Sequence, residues 1–79
     1  MNNNLKLQEA FMTALGVSKN VINDDLKYNS IEEWDSIAHM TLVAELEGVF
    51  DVMLDTDQII DMSSVGKARE ILTTHDVEF

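Results

Sequence analysis

With 15 acidic and 5 basic residues among 79, the chain carries a net charge of −10 and is long enough for one small domain. A chain of this length buries ~60% of its extended surface, which disfavours a deep multi-group active site and favours a binding, carrier or interaction module. The absence of cysteine excludes a disulfide framework, a zinc knuckle and a thiol nucleophile, and the negative field argues against nucleic acid and anionic membrane as partners.

Apolar residues at helical spacing predict a first helix over Leu5 to Leu15. Leu7, Phe11, Ala14 and Leu15 share a stripe, Asn4 is the expected N-cap and Gly16 the stop. Residues 18 to 35 follow as a long polar connection, with Val21, Ile22, Leu26, Tyr28, Ile31 and Trp34 as the groups that pin it down. Loops this long are usually functional or disordered, and apolar anchors of this kind favour function. A second helix is expected from Ser36 to about Phe50, with either Asp35 or Ser36 suited to its N-cap. Asp55 to Asp61 suits a short helix, and Ser64 caps a last one from Val65 to about Leu72, with Ala68, Ile71 and Leu72 facing inward. The tail after Thr73 is expected to fray. Hairpin turns and sustained alternation are both missing. The chain therefore reads as all-α: a small four-helix bundle of three principal helices and one short one, a single domain over 1–79 with its core at about 5–73.

The second helix divides into sectors at ~100° per residue. Leu42, Val43, Leu46, Val49 and Phe50 form the core stripe, while Thr41, Glu45 and Gly48 face solvent. Ser36, Ile37, Met40, Ala44, Glu47 and Asp51 fall together, mixing apolar groups with carboxylates beside a serine. That mixture fits a docking surface; packing of Ile37 and Met40 beneath the long loop is the other reading. From Tyr28 to Gly66 there is no Lys or Arg, whereas Glu32, Glu33, Asp35, Glu45, Glu47, Asp51, Asp55, Asp57 and Asp61 all lie there. A partner with a basic patch suits such a stretch. MNNNLK has neither a basic nor an apolar leader region, and no apolar run approaches ~18 residues, so a cytoplasmic protein is expected.

Rival constellations are weaker. Asp35, Ser36 and His39 are the residue types of a hydrolytic triad, but adjacent Asp and Ser side chains do not meet through a histidine. DTDQIID starts like a calcium loop, then places Ile59 and Ile60 where a ligand and the turn glycine belong. His39 and His75 lack partners at metal spacing and read as surface residues, so no metal site is expected. Trp34 and Tyr28 read as anchors of the long loop, and Met40, Met53 and Met62 as an adaptable core or cleft.

Residues 34 to 50, WDSIAHMTLVAELEGVF, resemble the acyl carrier protein signature: Asp-Ser before Leu or Ile, then aliphatic residues and Leu-Glu, ending in Phe. The resemblance runs on through Leu54 and the acidic 55–61 stretch to Ser64-Val65 and Ala68, covering roughly residues 5 to 73. It implies a four-helix bundle without catalysis of its own, of a specialised stand-alone type. Ser36 would receive a 4'-phosphopantetheine arm from coenzyme A through a phosphopantetheinyl transferase, and the arm's thiol would hold an acyl thioester. Asp35 would help the transferase position its metal and the serine. Ile37, Met40, Ala44, Glu47 and Asp51 would meet partner enzymes with basic docking patches, the carrier itself being a monomer. The acyl cleft would be lined by Tyr28, Leu46, Leu54, Ile59, Met62 and Ala68. Trp34, Thr41, Gly48, His39 and Ala44 depart from the pattern of carriers in general fatty acid biosynthesis and point to a dedicated biosynthetic pathway. Ile59 stands where a small residue is common, which points to short or polar cargo. An aminoacyl carrier serving an adenylating ligase, or a helical interaction module in which Ser36 is only a cap, are the alternatives.

Overall fold

The computed structural model describes residues 3–79 and contains four α-helices among them: α1 Asn3–Leu15, α2 Ser36–Phe50, α3 Thr56–Asp61 and α4 Val65–Thr73. No strand occurs among the described residues, although Lys27 and Ser64 form an isolated antiparallel bridge. The all-α bundle of three principal helices and one short helix is thus the observed architecture.

Each helix boundary has a local chemical cause. Gly16 ends α1 in the left-handed region (φ 67°), and its N–H donates to Met12 O at 2.9 Å, a conformation that costs glycine little. Asn4 does not cap α1 as expected; the helix has already begun at Asn3, and the Asn4 Oδ1 accepts from Arg69 Nε of α4 at 3.0 Å. Asp35 rather than Ser36 caps α2. Its backbone is extended and its carboxylate accepts from Ala38 N–H at 2.8 Å, satisfying a donor that the helix cannot. Asp51 closes α2 at positive φ, with its N–H donating to Glu47 O. Asp55 and Gln58 form a reciprocal capping box on α3. Ser64 Oγ accepts from Lys67 N–H at 3.0 Å to begin α4. Replacing Asp35 by alanine is expected to cost about 1 kcal/mol of stability, read from the urea midpoint.

The helices enclose one core. Leu7, Ala10, Phe11 and Leu15 of α1 pack with Leu42, Val43 and Leu46 of α2 and with Val65, Ala68, Ile71 and Leu72 of α4. Val49, expected in the α2 core stripe, lies in the last turn and is exposed. The long connection is held in two ways. Leu26 and Trp34 are buried, with Val21, Ile22 and Ile31 packed against the core. Its backbone is also laced to the segment before α4, with Tyr28 N–H donating to Ser63 O at 2.9 Å and Val65 N–H to Leu26 O at 3.0 Å. Gly66 permits the closest approach: a Cβ there would meet Asp24 O at 3.4 Å.

The C-terminal tail does not fray. Val77 is buried, Phe79 meets Phe50 edge-on at 6.0 Å, and the Arg69 guanidinium lies 5.6 Å from the Phe79 ring centre. Two apolar side chains spaced to reach the core and Phe50 outweigh the local tendency of a terminus to loosen.

Candidate functional site at the start of α2

Asp35 holds the first turn of α2 in place and Ser36 is its first residue, exposed to solvent. The Ser36 hydroxyl makes no hydrogen bond to any described residue. The other serines differ. Ser30 Oγ donates to Lys27 O at 2.6 Å, and Ser64 Oγ caps α4. Ser18 precedes a three-residue 3-10 turn, and Ser63 lies outside the helices. Among the described residues, Ser36 alone combines exposure, an uncommitted hydroxyl and a place at the positive end of an α-helix.

Beside it lies a groove of about 390 Å³, lined by Tyr28, Ser36, His39 and Met40 on one side and by Ile59, Ile60, Met62 and Ser63 on the other. Apolar atoms form most of its wall, and no charged residue contributes. Of the residues expected to form an acyl cleft, the structure gathers Tyr28, Ile59 and Met62 at this groove. Leu46, Leu54 and Ala68 are instead sealed in the core and do not line it.

Trp34 is wholly buried (0% exposed) and lies among rings. Its centroid is 5.3 Å from Phe11 and 6.2 Å from Tyr28, both edge-on, and 6.1 Å from His39 in a stack. The indole Nε1–H donates to His39 Nδ1 at 3.0 Å. An indole nitrogen can only donate, so Nδ1 carries the lone pair and the imidazole proton is on Nε2. From there it donates to the Ile59 carbonyl of α3 at 2.9 Å. Trp34, His39 and Ile59 thus form one hydrogen-bonded chain from the long connection across α2 to α3. His39 and His75 were both expected at the surface. Both are half-buried and bonded instead, His75 Nε2 lying 2.8 Å from Gln58 Oε1.

These bonds also dispose of the triad. Both His39 nitrogens are engaged with Trp34 and Ile59, so the imidazole does not serve Ser36 as a base.

Along α2, Ile37 (78% exposed), Met40 (56%) and Ala44 are open to solvent, so Ile37 and Met40 do not pack beneath the long loop. Asp51 is exposed at the far end. Glu47 belongs to this surface less than expected. It is half-buried, and its Oε2 accepts from Leu54 N–H at 2.9 Å, fastening the loop between α2 and α3. Ile60 and Ser63 of the groove escaped the sequence reading, because they lie beyond α2 in the chain and no spacing ties them to Ser36. No helix among the described residues is long and apolar enough to cross a membrane.

A family model described as the phosphopantetheine attachment site matches residues 6–70. No curated protein matches the chain, and no solved structure does. The family match runs from within α1 to within α4, and an exposed, uncommitted serine at a helix start fits the covalent prosthetic group that this family carries. The chain belongs to the phosphopantetheine attachment site family: it is a carrier domain, modified by a phosphopantetheinyl transferase and not itself a catalyst.

Proposed function

We propose that Ser36 is the residue that takes the 4'-phosphopantetheine arm, and that the domain carries an acyl thioester to partner enzymes of a dedicated biosynthetic pathway. The observation that carries this reading is the exposed, uncommitted Ser36 hydroxyl at the first turn of α2, opening onto an apolar groove. Ser36 Oγ forms a bond to phosphorus as the pyrophosphate link of coenzyme A breaks; adenosine bisphosphate leaves, and the hydroxyl proton passes to a base of the transferase. When attached, the arm supplies the thiol that the cysteine-free chain lacks. Asp35 commits one carboxylate oxygen to the helix cap and leaves the other for the metal of the transferase. The positive end of α2 favours the phosphodiester's negative charge at Ser36.

Acyl cargo fits the groove better than aminoacyl cargo. No carboxylate lines it, and an ammonium group buried without a partner is costly. Ile37, Met40, Ala44 and Asp51 form the docking face, apolar at the centre and acidic at its edge, matched to partner enzymes with basic patches. Incubating the domain with coenzyme A and a broad-specificity phosphopantetheinyl transferase should raise its intact mass by one arm. Failure to gain any arm would contradict the proposal.

A further inference from the structure

We infer that the Trp34–His39–Ile59 chain is a length gate for the cargo. It closes the inner end of the groove, so that the domain shelters short acyl groups and leaves longer ones outside. This rests on the carrier reading and adds to it the class of cargo and the residue that selects it.

The groove at Ser36 is open on its outer side, where Met40 and Ile60 are exposed. Leu46, Leu54 and Ala68, each 5% exposed or less, belong to the core and do not line it. His39 and Ile59 both line the groove, and His39 ties α2 to α3 across it. Its Nε2–H donates to Ile59 O at 2.9 Å and its Nδ1 accepts from Trp34 Nε1–H at 3.0 Å. Tyr28 reinforces the seal, its ring edge-on to His39 at 5.2 Å and to Trp34 at 6.2 Å.

Swinging His39 aside would leave a buried indole N–H and a carbonyl of α3 without partners. An unmet polar group inside a protein is penalised more than a satisfied one is rewarded. A chain of a few carbons finds apolar wall against Ile59, Ile60 and Met62 without disturbing either bond. A longer chain gains the core only by breaking both. Imidazole selects in a way that an aliphatic residue at position 39 would not, because its two nitrogens hold the connection and α3 simultaneously. No described cation faces the His39 ring; the groups around it are Trp34, Tyr28 and the Ile59 carbonyl.

The test loads the ¹⁵N-labelled domain with butyryl, octanoyl and palmitoyl arms, transferred from the acyl-coenzyme A thioesters, and compares amide shifts with those of the unacylated form. In the wild type, shifts at Ile59, Ile60, Met62 and Ser63 should appear with butyryl and stop growing by octanoyl. Amides of Leu46, Leu54 and Ala68 should stay at the unacylated positions even with palmitoyl. His39→Ala should let the longer arms perturb those three residues. Palmitoyl shifts at Leu46, Leu54 and Ala68 in the wild type would overturn the gate, whether or not the variant folds. A domain that takes no arm at all would overturn the carrier reading with it, and intact mass distinguishes the two failures before any spectrum is recorded.

Discussion

Ser36→Ala is expected to abolish arm attachment completely while leaving the domain as stable as before. The two halves of that result have separate causes. Attachment needs an oxygen nucleophile at the first turn of α2, and alanine removes it. Stability hardly changes because the Ser36 side chain is exposed and the cap of α2 is the neighbouring Asp35; surface changes away from caps and cores usually stay within about 0.5 kcal/mol. Ser63→Ala is the informative control, since Ser63 lines the same groove but lies outside the helices. It should be modified at the wild-type rate. Intact mass after incubation with coenzyme A and the transferase reads attachment, and thermal melting followed by circular dichroism reads the fold. Loss of modification together with loss of helicity in Ser36→Ala would assign the serine a structural role instead.

Trp34→Ala is expected to have the largest effect on stability, about 3–5 kcal/mol. The indole is the largest of the fully buried side chains, and it fills the space between α1, the long connection and α2. Its loss opens a cavity against Phe11 and Tyr28 and removes the donor to His39 Nδ1. Domains of this size have ~0.05–0.15 kcal/mol per residue to lose, so the variant should forfeit a large share of its stability. For a domain this small, each kcal/mol lowers the melting temperature by about 4–8 °C. Trp34→Phe, which keeps an aromatic ring against Phe11 but not the N–H, should lose clearly less. A melting curve for Trp34→Ala that overlays the wild type would contradict the packing described here.

The helices were legible because their punctuation is local. Gly16, Asp35, Asp55 and Ser64 act on backbone groups within four residues, and spacing alone finds Leu42 and Leu46 or Ala68 and Leu72. Whether Asp35 or Ser36 capped α2 was not decidable, because both residue types accept the same N–H and only the chain's entry angle chooses. The hydrogen bonds around His39 were not legible at all. A histidine that links an indole five residues earlier to a carbonyl twenty residues later leaves no periodic trace, and an isolated histidine ordinarily belongs at the surface. Glu47 misled for the same reason. Its place on the helix allows a docking role, but its carboxylate bends back to Leu54 N–H, a donor that only the folded loop presents. Trp34 fitted the family pattern least, and the structure buries it completely among rings with its N–H on His39.

The most direct measurement is the location of the arm. The domain modified in the presence of coenzyme A and the transferase should be fragmented in the gas phase and the added mass assigned among its serines, Ser18, Ser30, Ser36, Ser63 and Ser64. The whole of it is expected on Ser36. An arm on any other serine, or a fully folded domain that acquires none, would contradict this.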